Sequence, residues 1–567
     1  MSEISKGLAN GLTNYGDPEF AKYLRRSFAK SMGYTNESLD KPIVGICYTE
    51  SSFNNCHRHF PEMLEAVKRG VLVSGALPMP FPMISLGEVF LSPTSMVYRN
   101  LMAMAVEEMI RAQPMDAVVL MGGCDKTVPA LLMGAVSAGK PAVMLVAGPM
   151  MTGRYKGERL GACTDCRRFW AQYRAESISQ KEIDQIEGNL AVTSGTCAVM
   201  GTASSMAVIA ETLGVMLPNT ASIPAVHADR LRASEQTGAL AAEMAIQGGP
   251  KLDQLITEES VENALRVLLS VSGSTNAIIH LTAIAGRAGV EVDLERFNEL
   301  SDETPVLVDL KPVGTGYMED FHSAGGLDGV LRALASQLNL QTLDVTGQRL
   351  EQRLQETSSE QIDQSVIRTL QDPVDSQGGL IALHGTLAPG GAILKRAAAT
   401  PALLEHEGRA VVFSSLEDLA ARIDSPDLDV EAEDILVLQN AGPRSPSGMP
   451  EAGYLPIPKK LAKAGVKDMV RISDARMSGT AFGTIVLHVT PEADLGGPLA
   501  LVQNGDRIRL SASAKTIDLL VTPEELEHRR SALLPSSAPP ARGYQKLYHD
   551  TILPAPKGCD FDFLLPD

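Results

Sequence analysis

The chain has 567 residues, 44% hydrophobic and 21% charged, so a sizeable core is expected and wholesale disorder is excluded. With 50 Lys and Arg against 68 Asp and Glu, the net charge of −18 disfavours nucleic acid and anionic membranes as partners. No apolar run approaches the ~18–20 residues that span a bilayer, the first residues lack the order of a signal peptide, and seven Cys do not make a disulfide scaffold in so long a chain. A soluble cytoplasmic protein is expected, with two to four domains of roughly 150 residues each.

Pro42–Cys47 reads as a buried strand, and Phe60, Met63, Leu64, Val67 and Val71 follow at helical spacing with Pro61 in the first turn. Asp116–Met121 is the next strand, followed by Gly122-Gly123-Cys124-Asp125-Lys126, a helix from Pro129 to near Gly139, and a strand over Pro141–Ala147. This β-loop-α-β order predicts an α/β fold with a parallel sheet covered by helices. A further helix is predicted from Thr202 to Leu213, capped by Gly214. The polar stretch Gln348–Ser376 suggests a boundary, giving an α/β domain over residues 1–360 and a β-rich domain over 370–567. In the second domain, strands are expected at Ile435–Leu438, Met469–Ile472 and Thr516–Val521. A hairpin is expected to pair Leu499–Val502 with Arg507–Leu510 across Asn504-Gly505, within a barrel or sandwich. The only low-complexity stretch is Ser536–Ala541.

Three Cys share a local setting. Cys56, Cys124 and Cys197 each lie in a small or polar turn just before a predicted helix, and the first two also follow strands. Ligands in open α/β sheets collect at the carboxyl ends of strands, and helix N-termini favour thiolates. Three such thiolates could hold an iron–sulfur cluster with one iron lacking a Cys ligand, although any one Cys alone is better explained as a small buried residue. Cys163-Thr164-Asp165-Cys166 has the spacing of a redox pair or half a zinc site. No second such motif accompanies it, and it is not assigned a metal role. Cys47 reads as core and Cys559 is unassigned. Asp125, Lys126 and Glu88 place charge in otherwise apolar or cysteine-bearing surroundings, and hard oxygen ligands suit Mg²⁺. In the second domain, the loops Gly442–Glu451 and Ser473–Gly483 each follow a predicted strand. No Gly-x-Ser-x-Gly elbow, dinucleotide fingerprint or Walker A sequence occurs.

Together Asn55-Cys56-His57, Gly122–Lys126, Gly195-Thr196-Cys197, Gly442–Glu451 and Ser473–Gly483 resemble, in order, the dihydroxy-acid and phosphogluconate dehydratase family, which includes the sugar-acid (aldonate) dehydratases. The resemblance implies an α/β N-terminal domain with a β-barrel-like C-terminal domain, assembled as a homodimer or homotetramer. It implies Cys56, Cys124 and Cys197 as cluster ligands. Glu88, Asp125 and Glu451 match Mg²⁺ ligands, with Lys126 as a carbamylated lysine joining them. Ser478 matches the catalytic base, and Thr480 a neighbour touching the substrate carboxylate.

The implied reaction is dehydration of a 2,3-dihydroxy acid to a 2-keto-3-deoxy acid. The form Ser473-Asp474-Ala475-Arg476-Met477-Ser478-Gly479-Thr480 and the polar Tyr48–Asn55 look more like the sugar-acid branch, usually linked to a 2Fe–2S rather than a 4Fe–4S cluster. The competing readings are the dihydroxy-acid dehydratase of branched-chain amino-acid synthesis and, in another class, an iron–sulfur redox protein. A phosphogluconate substrate would need a basic phosphate pocket, and no Arg/Lys cluster lies near the motifs.

Overall fold

The computed structural model describes residues 6–12, 14–356, 362–533 and 538–566. The stretches Gln348–Ser376 and Ser536–Ala541 therefore lie partly outside the described residues. Strands β1 (Ile43–Tyr48), β2 (Leu77–Pro82), β3 (Ala117–Gly122) and β4 (Ala142–Val146) form one parallel sheet in the order β2-β1-β3-β4. Parallel neighbours need crossovers, and helices α1 (Phe60–Val73), α2 (Met96–Ala112) and α3 (Thr127–Ala138) supply them. β3 and β4 are buried along their whole length and β1 nearly so, which is why they read as continuous apolar runs. Helix α3 starts at Thr127 rather than Pro129, and Gly139 terminates it at φ +65°.

A two-stranded ribbon, β5 (Gly153–Tyr155) and β6 (Glu158–Leu160), leads into helix α4 (Thr164–Arg174). Helices α5 (Thr202–Thr212), α6 (Ala228–Gln247) and α7 (Thr275–Arg287) complete the elements around the first core that bear on the site. α6 lies against α1 so closely that a Cβ on Gly238 would stand 2.2 Å from the Val67 carbonyl oxygen.

The second sheet has eight strands: β7 (Ile381–Leu383), β8 (Gly391–Leu394), β9 (Glu405–Phe413), β10 (Ile435–Leu438), β11 (Arg471–Ser473), β12 (Ile485–Thr490), β13 (Arg507–Ser511) and β14 (Thr516–Leu519). Their order is β14-β13-β9-β10-β11-β12-β8-β7, with β9 to β12 parallel and the flanking pairs antiparallel. Its edges nearly meet, because His384, just after β7, bridges to Thr516 of β14. Alternation along the strands separates two apolar layers. Val412, Ile435, Val437 and Ile472 belong to the barrel core, whereas Val411, Phe413, Leu436 and Leu438 pack in a separate cluster with Leu419 and Ile423.

One expectation is corrected here. Leu499–Val502 is not a strand: Pro498–Leu501 forms a 3₁₀ turn with Pro498 at its start. The hairpin partner of β13 is β14, across Ala512–Lys515.

Residues after the barrel return to the first core. Helix α8 (Gly543–Thr551) and the segment beyond it pack against α2, where Arg99 donates to the carbonyls of Gly558 and Cys559. Asp560 pairs with the buried Arg287 of α7 at 2.5 Å. Among the described residues no helix is long and apolar enough to cross a membrane.

Candidate functional site

Both sheets direct the carboxyl ends of parallel strands towards one cavity of about 590 Å³. The chain leaves β1 towards Cys56 and β3 towards Cys124, Asp125 and Lys126. It leaves β10 towards Glu451 and β11 towards Ser478 and Thr480. Eight of the nine residues singled out from the sequence line this cavity: Cys56, Glu88, Cys124, Asp125, Cys197, Glu451, Ser478 and Thr480. The ninth, Lys126, is completely buried beside them.

Glu88, Asp125 and Glu451 each offer an oxygen within 4.8 Å of the others, the only group of three potential metal ligands that close among the described residues. The Lys126 ammonium lies in their midst, 2.5 Å from Asp125, 3.2 Å from Glu88 and 3.5 Å from Glu451. Burial and the neighbouring Arg476 push its pKa down, but the three carboxylates outweigh them and raise it. Burial likewise pushes Glu88 up, yet Lys126 and Arg476 hold it well below the usual carboxylate range. Glu451 goes the other way: burial and Glu88 outweigh the attraction of Lys126 and Arg476.

Arg476 is fully buried and ties the two domains' acids together, donating to Glu451 at 3.0 Å, to Glu88 at 3.3 Å and to Thr94 at 2.6 Å. Thr94 and Ser95 donate to Glu88 as well, and Asn276 of α7 reaches Glu451 at 3.4 Å.

The Cys124 loop is held from below by His57. His57 Nδ1 lies 2.7 Å from the Thr49 carbonyl, which can only accept, so the proton sits on Nδ1. Nε2 then accepts the backbone N–H groups of Gly123 and Cys124 at 3.0 and 3.1 Å. Burial lowers the His57 pKa to about 4, which keeps this neutral tautomer at neutral pH. The Cys124 thiol is pushed well above the ordinary range, first by its hydrogen bond with Cys56 and then by burial.

Cys197 faces an unexpected neighbour. Its Sγ is 3.4 Å from Sγ of Cys163, which also lines the cavity at the N-cap of α4.

Ser478 Oγ and Thr480 Oγ1 are hydrogen-bonded at 2.8 Å, and Thr164 of α4 donates to the Thr480 carbonyl at 2.9 Å. Gly479 between them must be glycine, because a Cβ there would stand 2.5 Å from Ser274 Cβ and 2.8 Å from the Thr202 nitrogen. Behind this turn the fully buried Lys395 donates to the Gly479 carbonyl at 3.4 Å, its pKa pushed down to about 7 by burial.

Sequence reasoning thus selected the residues that line the cavity and missed those that hold them. Arg476, His57, Asn276 and Lys395 received no role, and Cys163 was set aside. Arg476 and His57 lay inside segments that had been singled out, so a cation or imidazole within a motif was the available signal. Nothing local marked Asn276 or Lys395.

Residues 41–353 match the N-terminal part, and residues 365–559 the C-terminal part, of the dihydroxy-acid/6-phosphogluconate dehydratase family. An L-arabonate dehydratase of Azospirillum brasilense is 46% identical over 97% of this chain and 96% of its own. A 6-deoxy-6-sulfo-D-gluconate dehydratase of Pseudomonas putida is 43% identical over 93% and 91%. A dihydroxy-acid dehydratase of Pyrococcus abyssi is less similar, at 36% over 94% and 97%. Matched along both halves, the chain belongs to the dihydroxy-acid/6-phosphogluconate dehydratase family and is a dehydratase, a carbon–oxygen lyase.

Proposed function

We propose that this protein removes water from a sugar acid, a 2,3-dihydroxy carboxylate of aldonate type, to give a 2-keto-3-deoxy acid. The observation that carries the reading is the meeting of Ser478 with the Glu88–Asp125–Glu451 group and the three thiols in one cavity. Its volume falls in the range of small-molecule sites, ~300–1,000 Å³. The donor sets fit the implied groups. Three carboxylates clustered around a cation suit Mg²⁺. Among the described residues no three thiols lie within 4.8 Å of one another, as ligands of a single ion would, so Cys56, Cys124 and Cys197 suit a two-iron cluster better than one metal ion. The 2Fe–2S form is preferred to 4Fe–4S. When bound, Mg²⁺ and the cluster would supply Lewis acidity at the substrate's C2 and C3 oxygens.

The chain's own groups do the rest. Lys126 is placed to join the Mg²⁺ ligands as a carbamate. Its ammonium, held charged by the three acids, first gives up a proton; the amine then adds to CO₂, the new C–N bond forms, and a second proton leaves to solvent. The cation among three acids then becomes an anionic oxygen donor. Ser478 takes the C2 proton, with Thr480 fixing its hydroxyl from 2.8 Å and offering a hydrogen bond to the substrate carboxylate. Arg476 brings positive charge near this turn, and Lys395 adds to it only in its protonated form, which favours the serine alkoxide. In this division of labour residues 1–360 hold the cluster and most of the Mg²⁺ site. Residues 370–567 bring Glu451 and the serine, and the protein acts as a homodimer or homotetramer.

A second reading, dehydration of a branched-chain dihydroxy acid, is favoured by Val89, Phe90 and Val192 on the cavity wall. The two separate in an assay of keto-acid formation by anaerobically purified protein. L-arabinonate and D-gluconate should be turned over with kcat/KM at least ~10-fold above 2,3-dihydroxyisovalerate, a difference of about 1.4 kcal/mol in transition-state binding. The reverse order would replace the sugar-acid reading by the branched-chain one.

A further inference from the structure

The cavity holds four thiols, not three, and they fall into two pairs. Cys56 is the hydrogen-bond partner of Cys124, and Cys163 Sγ stands 3.4 Å from Cys197 Sγ. Two thiolates on one tetrahedral metal, with metal–sulfur bonds of about 2.3 Å, stand about 3.8 Å apart. The Cys163–Cys197 separation is within a few tenths of an ångström of that value.

A two-iron cluster takes two thiolates per iron when fully ligated by cysteine, which is the pattern of these two pairs. Cys163 is also firmly placed. Cys166 Sγ donates to its carbonyl at 2.6 Å, and Thr164 ties the same turn to Thr480. Asp165, buried, accepts from the Gly161 N–H at 2.8 Å and from Lys311 at 3.1 Å.

We infer that Cys163 is a fourth protein ligand of the cluster, bound beside Cys197 on the same iron in the substrate-free enzyme. The inference rests on the cluster reading above and departs from its three-cysteine form. It gives the Cys163-x-x-Cys166 motif a purpose: Cys163 binds and Cys166 braces the turn. For the cluster to supply Lewis acidity to the substrate, Cys163 would give up its place to the substrate's C3 hydroxyl and leave as thiolate, an exchange of ligands in which no electron is transferred.

The test compares anaerobically purified wild type, Cys163→Ala, Cys163→Ser and Cys166→Ala by iron and sulfide content, visible circular dichroism and EPR of the dithionite-reduced cluster. Cys163→Ala should shift the visible bands and the g values, and Cys163→Ser should shift them differently because a serine oxygen replaces sulfur. Cys166→Ala should leave them close to wild type. Spectra of Cys163→Ala superimposable on those of wild type overturn the inference.

A wild-type measurement guards against misfolded variants. In the holoprotein iodoacetamide should spare Cys163 and label it once chelation has removed the iron. Labelling of Cys163 with the cluster spectrum intact also overturns the inference. A wild-type protein with no bound iron and sulfide would instead remove the cluster reading itself, so the two failures are distinct.

Discussion

Ser478 is a hydroxyl asked to act as a base, and an ordinary serine is far too weak for that. In the proposed mechanism its setting would help, with Thr480 at 2.8 Å, the cation Arg476 bound to the adjacent acids, and Lys395, its pKa pushed down to about 7, on the Gly479 carbonyl. Ser478→Ala should lower kcat by ~10²–10⁴-fold, the usual cost of losing a general base, with KM changing far less. The measurement that decides is loss of deuterium from C2-deuterated substrate. Washout at the wild-type rate in Ser478→Ala would assign the proton to another group.

Lys126 poses a different question. Lys126→Arg keeps a cation among Glu88, Asp125 and Glu451 but cannot form a carbamate. Loss of activity by at least ~10²-fold is expected, scaled from the effect of disturbing a metal site. The carbonyl signal of a carbamate should appear in wild type supplied with carbon-13 bicarbonate and be absent from the variant. Full activity in Lys126→Arg would rule the carbamate out.

At the scale of elements, the fit between α1 and α6 rests on glycine. Gly238 meets the Val67 carbonyl and Gly70 meets the Glu235 carbonyl, each at a distance no Cβ can occupy. Gly238→Ala should therefore destabilise the protein by about 1–3 kcal/mol through overpacking. Gly188→Ala, where a Cβ meets nothing within 4 Å, should change stability little. Urea unfolding of the two variants gives the comparison, and equal midpoints would mean that α6 shifts to absorb the methyl.

The same scale shows what the sequence could and could not tell. Strands β1, β3, β4, β10 and β11 were legible because burial on both faces makes them continuous apolar runs between turn residues. β13 and β14 were legible by their alternation, whereas β2, β7, β8, β9 and β12 were not predicted. Leu499–Val502 is just such an apolar run, but it curls into a 3₁₀ turn that Pro498, following the extended Gly497, opens with its fixed φ. The cavity-lining residues were legible because they sit in short loops with unusual composition. Their supports were not. Asn276 and Lys395 lie more than 80 residues from the loops they brace, Asn276 175 residues from Glu451 and Lys395 84 from Gly479. Only the fold brings such positions together.

For the molecule as a whole, pH acts through acids buried behind the catalytic loops. Glu492 accepts the Arg444 N–H, and Asp474 accepts the N–H groups of Ala441 and Ala493, so the pair pins both loops. Burial, and then repulsion from Asp474, raises Glu492 from 4.5 to about 8, and burial raises Asp474 to about 6. A folded-state pKa above the unfolded one means that the native state holds the proton more tightly. That contribution is complete below about pH 4.5 and is lost as pH rises through about 8. Glu492→Gln, a permanent mimic of the protonated acid, should flatten the fall in melting temperature between about pH 4.5 and pH 8. At the alkaline end it should be the more stable protein by a few kcal/mol. Parallel melting curves for the two proteins across that range would show that Glu492 is ionised in the fold at neutral pH.

The return of residues 543–561 to α2 and α7 also fixes a timetable. Asp560 leaves the ribosome 273 residues after its partner Arg287. At ~5–20 residues per second, that interval is roughly 15–55 s. During it Arg287 has only the more distant carboxylate of Glu107, at 3.6 Å, and Arg99 lacks the Gly558 and Cys559 carbonyls that later accept its hydrogen bonds. The first core is therefore completed only once the barrel and the segment after it have been made, and a nascent chain stalled within the barrel would expose an unsealed wall for chaperones or proteases to recognise.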